Sequence, residues 1–429
     1  MHPTHTHRTN PSGPSRRTVL AGAAALTGLT VLGTAPARAT AAGRRAAAPD
    51  ADVYVLVVDG MRPDELTPDR TPALTALAES GVRFPNASAI TVAETLPNHA
   101  AMMTGVLPNR NGVPANTIHD RAEGGTRELD RPGDLLAPTM LDRVRAERGW
   151  VTASVLSKRY LHGLFGGRAS VAWDPVPQIP GTEHAPDLFT TTALTQIVAE
   201  HSPRLTFVNL GDVDRVGHLD LSGPSLRLAR TQSLRGTDEL VRRFTAFLHE
   251  SGRWDRSVLI VLADHSMDWS VPTRLVGLTA PLAADPLLRG RVRIAQNGGA
   301  DLVYFTGGDD ERAAAITRIR RIAAAVEGVE SAWAVADTAL GDRAGDVAVF
   351  CLPGWRFSDP TPMSNPIPGN HGHAATLPIP FFVAGGHRVV GPPRIDRIPV
   401  RTVDVAPTVA ALFGMSAPAG GWDGAARIG

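Results

Sequence analysis

The sequence predicts an α/β fold, with a central, largely parallel sheet flanked by helices, on three observations. Apolar runs of strand length alternate with helix-like segments. The runs are continuous in Val, Ile and Leu rather than alternating, the pattern of strands covered on both faces. Three of them end on carboxylates, where open α/β sheets gather their ligands.

The first segment is an address rather than part of the fold. Ser15-Arg16-Arg17-Thr18-Val19-Leu20, an apolar stretch over 21–35 and Ala37-Arg38-Ala39 read as basic region, hydrophobic region and A-x-A cleavage site. The apolar stretch is too short, and its residues too small, to span a hydrocarbon core of about 30 Å. Residues 1–39 are therefore expected to be an export signal, with an uncleaved tether as the alternative. Residues 40–49, Ala-rich with Arg, are expected to be a disordered leader, and 50–429 the folded domain, with no stable membrane span.

Within that domain the run 53–58 is a strand ending at Asp59, and 72–80 a helix. The run 205–210 precedes Asp212 and Asp214, and 225–251 is helical. The run 258–262 ends at Asp264-His265. Around 291–349 the pattern changes: strand over 300–306, amphipathic helix over 310–326, strand over 329–335. This is expected to be a small α+β insert. Residues 416–429, rich in Gly and Ala, are expected to loop over the surface.

Lys and Arg number 43 against 42 Asp and Glu, a formal charge of +1, so no global field marks a nucleic-acid or membrane-surface binder. The single cysteine, Cys351, precludes an intramolecular disulfide and argues against a thiolate metal site. Any metal must be held by His and carboxylates.

Such residues are present: Asp59, Asp214 with His218, Asp264 with His265, and His371 within Gly369-Asn370-His371-Gly372. Three carboxylates and three imidazoles without sulfur suit zinc, with manganese or iron possible. Six ligands fill two three-coordinate sites that each keep an open position, the form of a catalytic centre. Between them lies Thr95, just before an expected helix start with Pro97 in its first turn. Thr95 reads both as a helix N-cap and as a nucleophile, and the amides of a helix N-terminus would favour an incoming phosphate. A free threonine hydroxyl needs a base or a metal to act at neutral pH. Glu94 is adjacent but should point elsewhere if Thr95 faces the site, so metal activation is the economical answer.

Five motifs occur in order: Val58-Asp59-Gly60 with Arg62-Pro63-Asp64, Thr95-Leu96-Pro97-Asn98-His99, Asp214-Arg215-Val216-Gly217-His218, Ala263-Asp264-His265-Ser266-Met267 and Gly369-Asn370-His371-Gly372. Together they resemble the nucleotide pyrophosphatase/phosphodiesterase branch of the alkaline phosphatase superfamily, and the leader resembles a twin-arginine signal read by that export machinery. The resemblance implies an alkaline phosphatase-like fold and two zinc ions, one on Asp214, His218 and His371, the other on Asp59, Asp264 and His265. It implies Thr95 as the nucleophile forming a phospho-threonine, and Asn116 as donor to a non-bridging phosphate oxygen. Three positions depart from the family's habit: Glu94 stands where animal members often have lysine, Leu96 where an aromatic is common, and Ser266 where glycine is usual.

The expected activity is hydrolysis of a small phosphodiester or pyrophosphate. Two divalent cations against three carboxylates leave about one positive charge, which a singly charged diester neutralises. A phosphomonoesterase or phosphonate hydrolase is the alternative, favoured if a further cation stands in the site. A sulfatase is disfavoured because Thr95-Leu96-Pro97 lacks the modifiable Cys or Ser. A catalytically silent metal- or ligand-binding protein is the reading from another class. Of the remaining histidines, His99 is expected to anchor a loop, His373 competes with His371, and His119 and His387 have no assigned role.

Overall fold

A computed structural model describes residues 47–219 and 224–428, so the expected signal over 1–39 lies outside the described residues. The central strand is β1 (Asp52–Val58), buried at every position. It is followed in the chain by β2 (Val82–Arg83), β3 (Thr152–Leu156), β4 (Val171–Trp173), β5 (Leu205–Leu210) and β6 (Ser257–Leu262). The next four strands, β7 (Val292–Asn297), β8 (Ala300–Phe305), β9 (Val329–Ala334) and β10 (Val347–Cys351), form a separate antiparallel sheet in the order β7-β8-β10-β9. With β11 (Phe381–Ala384) and β12 (Arg394–Ile395) the main sheet reads β12-β2-β11-β6-β1-β5-β3-β4.

From β6 to β4 all neighbours are parallel, while β11 runs antiparallel to both β6 and β2. Val53 of β1 lies opposite both Leu205 and Val258, so the three runs legible in the sequence are the three adjacent central strands. These are the strands that must be apolar on both faces.

The flanking helices are α1 (Pro72–Glu79), α2 (Thr95–Thr104), α3 (Asp187–His201), α4 (Asp212–His218), α5 (Pro224–Glu250), α6 (Asp309–Ala323) and α7 (Val405–Leu412). α1 and α3 pack on α5, and α7 on α2, while α6 covers the antiparallel sheet. No helix among the described residues is long and apolar enough to cross a membrane.

Three segments take a more defined form than their sequence suggests. The apolar cluster beneath α6 reaches from Val276 to Phe357, wider than 291–349, because segments on both flanks supply its wall. The last residues of the expected leader are anchored: Ala48 is buried and its N–H donates to Leu412 O at 2.7 Å. The tail is partly pinned, with Ile428 buried and Asp423 accepting from Leu107 N–H at 2.8 Å.

Candidate active site

The parallel strands deliver their carboxyl-end residues to one place. Asp59 follows β1, Lys158 follows β3, Asp214 lies on α4 just beyond β5, and Asp264-His265 follow β6. Gly60 turns the chain away immediately after Asp59 at φ +70°, and a Cβ there would meet Asp214 Cβ at 3.1 Å. His371 arrives from elsewhere. Gly369–Asn370 pairs with Asp268–Trp269, which ties the late loop to the end of β6.

Each of the three expected imidazole ligands has its Nδ1 on a backbone carbonyl: His265 on Ser266 O at 2.9 Å, His371 on Ala93 O at 3.1 Å and His218 on Gly369 O at 2.9 Å. A carbonyl only accepts, so each Nδ1 carries hydrogen and each Nε2 is the ligand-ready end. The Nε2 atoms converge. Those of His218 and His371 are 3.1 Å apart, and the rings of His265 and His371 stack at 3.8 Å. Two lone pairs face one another at that separation only with a cation between them, a proton or a metal ion.

The carboxylates show the same deficit. Oδ1 of Asp59 and Oδ2 of Asp264 are buried and accept no hydrogen bond among the described residues. Oδ1 of Asp214 likewise accepts none and lies 3.3 Å from His218 Nε2. A buried charge left this way is costly unless a cation completes it. The six residues thus fit the metal centre their chemistry suggests.

Two triads are close enough for one ion each: Asp214, His265 and His371, and Asp59, His99 and Asp264. The first has His265 where His218 was expected, although His218 Nε2 lies 3.3 Å from Asp214 Oδ1, and the second has His99 where His265 was expected. His99 is engaged at both nitrogens, with Nδ1 2.9 Å from Thr95 O and Nε2 3.0 Å from Asn209 Nδ2. His265 instead offers a ligand-ready Nε2, 3.6 Å from Asp59 Oδ1 and 3.5 Å from Asp264 Oδ2. His265 thus offers the free imidazole nitrogen of this group, while His99 anchors α2.

Thr95 is buried at this centre, with Oγ1 3.3 Å from His265 Nε2 and 3.4 Å from Lys158 Nζ. It is the first residue of α2 rather than its cap; Glu94, with extended backbone, holds the cap position. The expected phosphate nest of helix amides is also mostly spent. Leu96 N–H donates to Asn116 Oδ1 at 2.8 Å, Pro97 has no N–H, and Asn98 N–H turns back to Glu94 O.

Asn116 sits beside the nucleophile in a stitched loop. Its N–H donates to Glu94 Oε2 at 2.8 Å, and its Oδ1 takes the Leu96 amide, leaving Nδ2 as the end available to a substrate. Burial pushes the Glu94 carboxyl up to about 8, with the Asn116 N–H pulling the other way, so it is neutral at pH 7. It neither points at Thr95 nor serves as its base.

The cation absent from the sequence reading is Lys158. Its amine is buried, 2.8 Å from Asp59 and 2.7 Å from Asp214. Burial opposes its charge, but Asp214 and then Asp59 outweigh that and hold it well above the ordinary lysine range. Tyr160 and His184 stand beside it, their rings 6.1 Å apart. Asn209, another unread residue, donates to Asp59 Oδ2 at 2.7 Å and accepts Ser157 Oγ at 2.6 Å.

Three other histidines fall away from the centre. His373 Nε2 lies 3.0 Å from Asp268 Oδ2, so it does not exchange roles with His371. His119 packs edge-on to Tyr304, and His387 faces Asp50.

The family of type I phosphodiesterases / nucleotide pyrophosphatases matches residues 53–374, a span that contains the whole cluster around Thr95. The chain belongs to this family. A bis(5'-adenosyl)-triphosphatase of Mus musculus is 24% identical over 233 residues, covering 51% of this chain and 48% of that protein. The human counterpart is 23% identical over the same length. The chain therefore spans about half the length of the curated relatives it matches. Among solved structures, murine ectonucleotide pyrophosphatase/phosphodiesterase 5, an inactive variant in complex with AMP, superposes with TM-score 0.69 at 16% identity, covering 85% of this chain and 96% of that one. Phosphonoacetate hydrolase from Sinorhizobium meliloti 1021, in complex with phosphonoformate, gives TM-score 0.66 at 19% identity, covering 85% and 95%. Both likenesses concern the fold.

Proposed function

We propose that this family member is an exported hydrolase that cleaves phosphodiester or pyrophosphate bonds through a phospho-threonine at Thr95, with two zinc ions held by Asp59, Asp214, His218, Asp264, His265 and His371. The observation that carries the reading is the convergence of three ligand-ready Nε2 atoms and three carboxylates, each with one unpartnered oxygen, on a buried threonine hydroxyl. Bound there, the two ions would supply charge stabilisation of the attacking and leaving oxygens.

Thr95 Oγ1 gives up its proton to solvent and attacks phosphorus, the P–Oγ bond forms, and the bond to the leaving oxygen, which takes a proton from solvent, breaks on the opposite face. Lys158 donates to Oγ1 and favours its anionic form. Asn116 Nδ2 is available to donate to a non-bridging oxygen. Water then cleaves the phospho-threonine and restores the hydroxyl. The relatives named for adenosyl triphosphate cleavage and the neighbour holding AMP support a nucleotide-derived substrate.

Lys158 favours a second reading within the superfamily. It raises the site's formal charge from about one to about two positive, which suits a dianionic monoester or phosphonate. The likeness to a phosphonoacetate hydrolase accords with it.

Zinc-loaded protein lacking residues 1–39, assayed on bis-p-nitrophenyl phosphate, p-nitrophenyl phosphate and phosphonoacetate, separates the readings. A kcat/KM highest for the diester supports the first; turnover confined to the monoester or phosphonate replaces it with the second. No turnover of any of the three would favour a silent binding protein. Export is tested by sequencing the N-terminus of protein recovered outside the cytoplasm, with cleavage after Ala39 expected.

A further inference from the structure

The insert does more than cover the sheet. The turn of its β7–β8 hairpin, Gly298-Gly299, reaches the loop that carries His371. Gly299 N–H donates to His371 O at 2.7 Å, and a Cβ at Gly299 would lie 2.2 Å from His373 Nδ1, so no larger residue fits that approach.

The residue before the turn, Asn297, reaches the other half of the site. It is buried, and its side chain engages both polar groups of Thr117. Oδ1 accepts the Thr117 N–H at 2.8 Å, and Nδ2 donates to Thr117 O at 3.0 Å and to Ala295 O at 3.1 Å. The amide thus acts as one rung of a sheet between segments 180 residues apart in sequence. Thr117 directly follows Asn116. The Asn116 N–H is held by Glu94 Oε2 and its carbonyl by Leu129 N–H at 3.0 Å, so Asn297 completes the set of bonds that fixes the Asn116 backbone.

We propose that Asn297 is a positioning residue of the active site: it clamps Thr117 so that the Asn116 amide points at the phosphate beside Thr95. The proposal rests on the role given to Asn116 above and adds a purpose for the insert. A misplacement of about 1 Å at such a donor costs roughly a hundredfold in rate, and loss of the donor itself roughly 100- to 1,000-fold.

The test is a double-mutant cycle on kcat in the zinc-loaded enzyme, with zinc content measured for every variant. Asn116→Ala is expected to lower kcat. Asn297→Ala is expected to lower kcat by about 10- to 100-fold with full zinc content and with KM changed less. In the Asn116→Ala background, Asn297→Ala is expected to have almost no further effect, since the donor it aims is gone. A full multiplicative loss in that background, or a normal kcat in Asn297→Ala alone, overturns the proposal. An unchanged kcat in Asn116→Ala would instead overturn the role of Asn116, a separate failure. Should Asn297→Ala not fold, Asn297→Ser, whose hydroxyl can keep one bond to Thr117, enters the same cycle with the same criteria.

Discussion

Replacing Glu94 by Gln is expected to stabilise the protein increasingly as pH rises from 5 to 8. The carboxyl is buried at the cap position of α2, accepts one amide hydrogen and has no cationic side chain beside it among the described residues, and burial raises its pKa from 4.5 to about 8. Below 4.5 the folded and unfolded chains both hold the proton. Between 4.5 and about 8 the unfolded chain has released it and the folded chain has not. Folding then loses about 1.4 kcal/mol per pH unit, and the loss is complete above about 8. Gln cannot ionise, and its Oε1 can still accept the Asn116 N–H. The difference between variant and parent should therefore grow by on the order of 4 kcal/mol between pH 5 and pH 8. Unfolding entropy of about 2.1 cal/mol/K per residue makes 1 kcal/mol worth roughly 1 °C in a chain of this size. Thermal melts in zinc excess should show the Tm gap widening by about 4 °C over that range. Activity at pH 7 should stay within a few fold, because the parent carboxyl is already neutral there. Parallel Tm curves, with a gap that does not move with pH, would refute the placement of Glu94 as a buried, unpaired carboxyl.

Other expectations concern the centre itself. Thr95→Ala should abolish turnover while leaving zinc content near the parent value; comparable activity would rule out the covalent route. Asp264→Ala should lose both activity and metal, measured by elemental analysis, because it leaves one buried ion with a carboxylate too few. Lys158→Met should shift the ratio of kcat/KM for p-nitrophenyl phosphate over the bis ester down by about 10- to 100-fold, the worth of one charge-assisted hydrogen bond. An unchanged ratio would mean the amine does not meet the substrate. Chelation should abolish activity and lower Tm, and added zinc should restore both; chelated protein that keeps full activity would exclude a metal-dependent mechanism.

The parts of this site that could be read from sequence are those whose physics is local. A strand buried on both faces is mostly apolar, so β1, β5 and β6, each with at least four apolar residues, announce themselves, and the carboxylates at their ends become visible as interruptions. Lys158 obeys the same rule at the end of β3, yet Thr152 and Ser154 break that run and hide the strand. Asn209 could have been suspected, since an amide inside the fully buried β5 has to be hydrogen-bonded to something. At α2 the sequence points to a cap one residue late, on Thr95, because Thr is an ordinary cap and Glu is not. It sits at Glu94 because the side chain is drawn back to the Asn116 amide, a partner 22 residues away.

What aims the reactive groups is carried by the backbone and by distant pairs. The carbonyls of Ser266, Ala93 and Gly369 choose the tautomers of three histidines, and a carbonyl has no signature in sequence. The clamp from Asn297 to Thr117 joins the insert to the substrate loop across 180 residues, and neither residue belongs to a motif. A substitution scan confined to the motif residues would therefore find the groups that do chemistry and miss those that hold them in place. Loss of kcat at an unchanged metal content is the signature by which the second kind can be found, and Asn297 is where that signature is expected first.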